Sequence, residues 1–147
     1  MTVIETSVEI ARPPGEVFAY VTDPSRFGEW QAGVISGHIE GNGVSAVGAT
    51  CVTTRRLGGA KRTVTSQITA IDPPATWAIR GLDGPIRAAV KVSVEPRQEG
   101  QQSHLTIRLD FSGHGIGKML LPLVARQARS EVPQSCRRLK HRLERSG

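Results

Sequence analysis

The sequence lacks most of the residues and motifs that reveal a reaction directly. Its 147 residues include only two cysteines, Cys51 and Cys136, which have no CxxC spacing and provide no disulfide framework. The four histidines are dispersed, and no HExxH or Cys/His pattern occurs, so neither a metal site nor a cofactor is expected. Phosphate-binding loops, dinucleotide fingerprints and GxSxG elbows are also missing. These absences exclude the enzyme classes that such motifs define.

Long apolar runs are missing as well. No stretch approaches the roughly 20 apolar residues of a membrane-spanning helix, and the N-terminus MTVIETSVEI contains acids and no signal-peptide core. We therefore expect a cytoplasmic protein. A hydrophobic content of 38% and a charged content of 22% are typical of a globular chain. The length suits a single domain covering 1–147.

The net charge of +6 lies entirely in the C-terminal segment. Residues 118–147 contain eight basic and two acidic side chains, whereas residues 1–117 contain eleven of each. In the same segment apolar residues recur at steps of four and three, which places them on one face of a long helix. They are Leu120, Val124, Ala128, Val132, Cys136, Leu139 and Leu143.

The basic side of this predicted helix has three interpretations. The first is a solvated surface, the second is a face attracted to an anionic membrane, and the third is a nucleic-acid interface. Single-strand binders interleave aromatic with basic residues, and residues 118–147 contain no aromatic residue. We therefore expect no nucleic-acid partner and at most weak electrostatic contact with an anionic membrane, and solvation is the favoured interpretation.

Strand patterns dominate the rest of the chain. A strand at 6–10 is followed by Pro13-Pro14 and two short helices, the second ending at Trp30. Period-two alternation then predicts six further strands, at 34–39, 49–57, 61–71, around 77–79, 86–95 and 105–111. One apolar and one polar face are typical of an antiparallel sheet wetted on one side. The pattern predicts an α+β fold in which the long C-terminal helix covers this sheet.

Four stretches resemble the START-like, helix-grip superfamily, also called SRPBCC, and within it the polyketide cyclase/dehydrase branch, common as single-domain bacterial proteins. They are VEIARPPGEVFAYVTDPSRFGEW at 8–30, VGATCVTTRR at 47–56, ITAIDPPATWAIRG at 68–81 and LPLVARQARSEVPQSCRRLKHRL at 121–143. The resemblance implies a curved seven-stranded antiparallel sheet wrapped around the C-terminal helix, with an elongated cavity between them. It implies no single function, because the superfamily includes lipid carriers, hormone and quinone binders, cyclases and regulators.

Periodicity and the resemblance together nominate the residues that would bind a ligand in this cavity. From the strands they are Ser66, Ile68, Trp77, Ile79, Ala88, Val90, Leu109 and Phe111; from the C-terminal helix they are Leu120, Leu123 and Val124. Phe27 and Trp30 are expected near the cavity mouth, and His38, Thr53 and Arg55 are further polar candidates. Trp30 and Trp77 either stack on a ring-shaped ligand or fill core volume.

The polar candidates have ordinary structural alternatives. Arg55 meets an anionic or carbonyl group of a ligand if its face turns inward, but a solvated hairpin tip is the favoured interpretation. His38 is either a titrating group or an exposed residue. The hydroxyl of Ser66 needs a partner from backbone, water or ligand. The small side chains of Ser66, Ala70 and Ala88 favour an open cavity over a filled core.

These observations favour binding, and with it transport, of a small hydrophobic or aromatic molecule such as a lipid. No acidic residue falls on a presumed inner strand face, which argues against general-base catalysis by a carboxylate. One alternative is a polyketide-type aromatase/cyclase or dehydratase. The other is a protein-interaction module that uses the fold without a ligand. A monomer or a homodimer is expected.

Overall fold

A computed structural model describes residues 2–41, 43–57 and 60–145, without the side chain of Leu57. The turn predicted at Gly58-Gly59 and the central residue of the turn predicted around Asn42 lie outside the described residues. The elements are β1 (Thr2–Ile10), α1 (Pro14–Val21), α2 (Phe27–Trp30), β2 (Val34–Ile39), β3 (Thr50–Leu57), β4 (Ala60–Asp72), β5 (Thr76–Gly81), β6 (Ile86–Arg97), β7 (Gln102–Gly113) and α3 (Gly117–Arg145).

The seven strands form one antiparallel sheet in the order β1-β7-β6-β5-β4-β3-β2. Consecutive strands from β2 to β7 are neighbours, as short loops favour. The two short helices carry the chain from β1 at one edge to β2 at the other. The predicted fold class, a seven-stranded antiparallel sheet with a long C-terminal helix, is therefore confirmed.

The C-terminal half of α3 provides the main cover of the inner face of the sheet. Cys136, Leu139 and Leu143 are buried there, as the apolar stripe predicts, and α3 packs chiefly against β1 and β7. The short helices α1 and α2 fill the rest of the core beside α3. Their buried residues are Val17, Phe18, Val21, Phe27 and Trp30. The core therefore lies between the sheet and three helices.

Hydrogen bonds fix the end of α3 to the end of β1. The Glu144 carboxylate accepts from the backbone N–H of Ala11 at 2.9 Å and from Lys140 Nζ at 2.7 Å. Lys140 Nζ also donates to the carbonyl of Glu9 at 2.6 Å, and Arg12 Nη2 donates to the carbonyl of Glu144 at 2.7 Å. Through this network the last turn of the helix is held over the edge of the sheet.

Two leucines of α3 provide a matched test of its orientation. Leu139 is fully buried and Leu123 is exposed. We predict that Leu139→Ala lowers the free energy of unfolding by about 2–5 kcal/mol, and that Leu123→Ala changes it by no more than about 0.5 kcal/mol. Urea unfolding followed by circular dichroism measures both. Equal effects of the two substitutions would contradict the orientation described.

The Glu144 network predicts a pH-dependent contribution to stability. The hydrogen bond from Lys140, followed by that from the Ala11 backbone, lowers the pKa of the Glu144 carboxyl. A lowered folded-state pKa means that the contribution is present above the unfolded pKa of glutamate, roughly 4.3, and is lost as pH falls through the folded-state value. We expect Glu144→Gln to destabilise the protein by about 1 kcal/mol at neutral pH. The difference from wild type should shrink in acid.

Thermal unfolding between pH 7 and pH 3 measures this difference, with Glu40→Gln as control because Glu40 is exposed in the turn after β2 and takes no part in the Glu144 network. A stability difference between wild type and Glu144→Gln that does not change with pH would contradict the lowered pKa of Glu144.

Candidate ligand-binding site

Cross-strand pairing identifies the side chains that share the inner face of the sheet. Cys51 of β3 pairs with Ser66 of β4, and Thr53 pairs with Val64. Cys51 and Thr53 are buried, so this face of β3 turns inward. Arg55 has the same parity two residues further along the strand, and therefore also points to the inner side.

The Arg55 side chain is half-buried, and its guanidinium has only neutral hydrogen-bond partners in the described chain. Its Nε donates to Thr53 Oγ1 at 3.2 Å, and its Nη2 makes a long contact of 3.4 Å with Gln31 Oε1. None of the ion pairs formed by the described residues includes it. Burial lowers the pKa of Arg55 from its usual value. The favoured expectation of a solvated hairpin tip therefore differs from the structure at this residue.

The inner faces of β4 to β7 form a strip that α3 covers incompletely. Ile79 pairs with Val90, and Val90 pairs with Leu109, so these three apolar side chains lie in one row across the sheet. All three are half-buried, as are Ser66 and Ala88. The reason is that α3 packs mostly over β1 and β7. The strip is thus an apolar concave surface that solvent or a ligand can reach.

An aromatic cluster closes one end of this strip. The Phe27 ring lies edge-on to Trp30 and to Trp77, with ring centroids 6.0 and 6.2 Å apart. Both tryptophans are buried, and the indole N–H of each has no hydrogen-bond partner among the described residues. Trp30 is next in the chain to Gln31, which contacts Arg55, so the cluster borders this half-buried cation. Phe27 and Trp30, expected at the cavity mouth, are part of the core.

Register shifts in the sheet move two candidate residues to the outer face. A shift between Ile68 and Ala70 makes Ile71, not Ala70, share the inner face with Trp77. A second shift in β2 turns Gly37 and Ile39 inward and leaves His38 exposed on the other side. A bulge reverses the side-chain alternation that follows it, so strict period two misplaces such residues.

Gly37 explains why the chain can pack closely at this edge. A Cβ built on Gly37 would lie 2.5 Å from the backbone oxygen of Pro24, a separation that real Cβ atoms do not adopt. The turn that leads into α2 therefore rests directly on β2 because this position has no side chain.

The α3 candidates do not all face the strip. Val124 is half-buried, whereas Leu120 and Leu123 are exposed. The buried position in this part of the helix is Ala125, which the predicted stripe did not include. The physical reason is that the first turns of α3 are apolar on more than one side, so spacing alone did not fix which side packs. Ile68, Trp77 and Phe111 are buried in the inner face of the sheet.

Two cavities lie at the surface. One, of about 400 Å³, is on the outer side of β5, β6 and β7 and is lined by Arg80, Arg87 and Asp110 among others. The second, of about 440 Å³, lies between the α1–α2 segment and β2 and includes His38. Neither cavity lies between the sheet and α3. His38 therefore belongs to a surface depression separate from the strip.

Several remaining polar groups have a structural role. The Tyr20 hydroxyl donates to Glu29 Oε1 at 2.9 Å, and burial together with this bond raises the pKa of Tyr20 to about 12. The Ser135 hydroxyl accepts from the backbone N–H of Ala32 and joins α3 to the segment after α2. Among the described residues no group of three metal-binding side chains is found, and no described helix is long and apolar enough to cross a membrane.

Gln31 and Cys51 were missed by sequence reasoning. The contact of Gln31 with Arg55 joins residues 24 positions apart, and a single sequence carries no signal for it. Cys51 shares parity with Thr53 and Arg55 but was not nominated as a ligand contact, and the structure places it buried on the inner face.

The architecture, with a curved antiparallel sheet, a long C-terminal helix and an apolar concave face, defines a helix-grip protein. The family model "Polyketide cyclase / dehydrase and lipid transport" matches residues 1–144. The chain belongs to this family, which confirms the resemblance noted in the sequence.

Similarity to other proteins extends over nearly the whole chain. The uncharacterized protein Rv1546 of Mycobacterium tuberculosis is 28% identical over 141 residues, covering 92% of this chain and 94% of that protein. The fold matches TTHA0849 from Thermus thermophilus, with a TM-score of 0.79, 15% identity and 99% coverage of both chains. It also matches a START superfamily protein from Mycobacterium smegmatis, with a TM-score of 0.79, 14% identity and 99% coverage of both chains.

A further structural match is the di-domain ARO/CYC BexL from the BE-7585A biosynthetic pathway. Its TM-score is 0.77 at 16% identity, and the match covers 98% of this chain and 47% of that one. At these identities the structural matches establish the fold alone.

The two thiols test the burial of this region. Cys51 and Cys136 are both buried, and burial raises the pKa of each thiol to about 11. Because the thiolate is the reactive form, we predict very slow reaction with a disulfide reagent at pH 8 in the native state. Both thiols should react fully in urea. Rapid labelling of the folded protein would contradict the burial described.

Proposed function

We propose that the protein binds a small hydrophobic or aromatic molecule that carries an oxygen acceptor, on the inner face of β3 to β7. The observation that carries the proposal is the desolvated Arg55 guanidinium, which has no carboxylate partner in the described residues. Partly burying a cation without a negative partner costs free energy. A ligand that supplies a carboxylate, phenolate or carbonyl oxygen would recover part of this cost.

The two buried indole N–H groups support the same ligand chemistry. Those of Trp30 and Trp77 have no acceptor among the described residues, and an unsatisfied buried donor costs about 1–3 kcal/mol. Each N–H is enclosed by protein atoms, so a ligand oxygen would satisfy such a donor only after the packing beside the aromatic cluster opens.

The apolar part of the ligand would lie along the half-covered strip. Ile79, Val90 and Leu109 form its centre, and Ser66 and Ala88 leave space because their side chains are small. Val124, half-buried on α3, is the helix residue proposed to contact the ligand. Thr53 would orient the guanidinium of Arg55 through its hydroxyl. This arrangement provides one polar end and one apolar length, which is typical of small-molecule sites.

Arg55 also supports a second candidate function, a cyclase or dehydratase acting on a polyketide-like substrate. A cation in apolar surroundings stabilises negative charge that develops on a carbonyl oxygen. Binding is preferred because no carboxylate or imidazole of the described chain is placed on the strip to move protons. Native mass spectrometry of the purified protein distinguishes the two, since a bound molecule with reactive ketones supports the cyclase and a stable lipid or quinone supports the carrier.

A pair of adjacent arginines provides a matched test. Arg55 is on the inner face, whereas Arg56 is exposed on the other. We predict that Arg55→Met weakens binding of the anionic apolar probe anilinonaphthalene sulfonate by about tenfold or more, since hydrogen bonds to charged groups contribute roughly 1.5–3 kcal/mol. Arg56→Met should leave the affinity unchanged. Fluorescence titration measures both.

The neutral dye Nile red serves as the control ligand, because it needs the apolar strip but gains little from the charge. Arg55→Met should bind it as well as wild type and should be at least as stable to heat, since a half-buried charge without a carboxylate partner has been removed. A variant that binds both dyes normally would overturn the proposed role of Arg55. A variant that loses stability would show that Arg55 is structural.

A further inference from the structure

The first turns of α3 are apolar on the side that faces solvent. Met119 is 82% exposed, Ile116 68%, Leu123 66% and Leu120 40%. Ile116 lies in the turn directly before α3, and Met119, Leu120 and Leu123, at i, i+1 and i+4 within the helix, lie on one side of its first two turns. We call these four residues the apolar quartet. It is not part of the strip, because the packed face of the same turns contains Gly117 and Ala125.

Such a helix start normally has to be covered. A helix that is apolar on all sides is buried in a core or a membrane, and a contiguous exposed apolar patch marks an interaction site more often than a single exposed residue does. The quartet lies at the end of the molecule where the β5–β6 turn meets the helix. That turn carries exposed Leu82 and is fixed there by a 2.8 Å hydrogen bond from the His114 N–H to the Pro85 carbonyl.

Basic side chains flank the quartet. Lys118, Arg126 and Arg129 are exposed along one side of the same turns. In the described part of the chain none of the three takes part in an ion pair. The nearest acid along the helix, Glu131, accepts a hydrogen bond from Gln127 instead. The surface therefore combines projecting apolar groups with positive charge that has no counter-charge of its own.

We propose that the start of α3 is a docking surface for an anionic lipid membrane. The quartet would enter the boundary between headgroups and acyl chains, and the three cations would contact the phosphates of anionic lipids. The helix would lie on the membrane rather than cross it, in keeping with the finding that no described helix is long and apolar enough to span one. This goes beyond the weak electrostatic contact expected from sequence, because it assigns an apolar insertion.

A second copy of the chain is a poorer occupant of this surface. In a symmetric dimer the same patch meets itself, which would bring the flanking cations of the two copies together, and like charges across an interface oppose association. Four side chains on two turns are also far fewer than the roughly 20–30 residues per partner of a stable interface. The positive flank suits a negatively charged partner.

Vesicle sedimentation tests the proposal. Wild-type protein should bind vesicles of phosphatidylglycerol and phosphatidylcholine, and bind vesicles of phosphatidylcholine alone much more weakly. Raising the salt should weaken binding without abolishing it, because the charge contribution is screened and the apolar one is not. We expect Met119→Asn with Leu123→Asn to weaken binding by about tenfold or more, with unchanged circular dichroism and melting temperature.

The matched control is Val47→Asn, since Val47 is 64% exposed but lies in the β2–β3 loop, away from α3. It should bind vesicles like wild type. No binding of wild type to anionic vesicles at low salt would overturn the proposal, as would equal binding by the double variant. A wild-type dimer that the double variant converts to a monomer, without vesicle binding, would show that a second copy covers the quartet.

A labelled cysteine reports insertion directly. Met119→Cys can be modified selectively with the environment-sensitive fluorophore NBD, because both natural thiols are buried. The emission should shift to the blue and brighten on addition of anionic vesicles. Vesicle binding without any change in this emission would mean that the quartet stays in water, and would overturn the insertion.

Discussion

The packing of the C-terminal half of α3 on β1 and β7 is the contact on which the rest of the molecule depends. One helix cannot cover a seven-stranded sheet, and here its buried residues are concentrated at Cys136, Leu139 and Leu143. The short helices α1 and α2 complete the core beside them. What remains is a concave surface on the central strands that no described element fully covers. The proposed binding strip is a direct consequence of this incomplete cover.

The polar groups left in this partly covered region give the strip its chemical character. Arg55 is half-buried beside Thr53, Gln31 and Cys51, none of which carries a negative charge in the neutral pH range. Trp30 and Trp77 bury indole N–H groups that have no acceptor in the described chain. A core selected for stability alone would pair or remove such groups. Their concentration at one end of an apolar surface is the basis for proposing a ligand with a polar end.

The architecture could be predicted from the sequence because each strand and the last helix have a clear local pattern of apolar residues. Strict alternation in 86–95 and 105–111 predicts strands, and the apolar stripe of the last segment predicts a helix. The bulges after Ile68 and after Val34 were not visible, so the alternation placed Ala70 inside and gave no sign that His38 faces outward. The orientation of Arg55 depended on which face of β3 turns inward. That face, Cys51-Thr53-Arg55, is hardly more apolar than its opposite, so tertiary packing decided it.

The side on which the first turns of α3 pack was also not predictable from the sequence pattern. Leu120 and Leu123 resemble core residues in a pattern that contains many apolar positions, yet the helix packs through Gly117 and Ala125. Gly117 allows this because a Cβ there would lie only 1.8 Å from the Pro85 carbonyl oxygen. Backbone contact thus sets the rotation of the helix and leaves large apolar side chains facing outward, which composition alone does not indicate.

The most direct test of the binding strip uses the two indole N–H signals of Trp30 and Trp77 in ¹H–¹⁵N NMR spectra. The chain has two tryptophans, so two resonances report on the polar end of the strip. Titration with anilinonaphthalene sulfonate should shift at least one of them, together with amide signals of β5 and β6, until the site is saturated. Unmoved indole signals at saturating probe, with shifts confined to the outer face, would contradict the central claim.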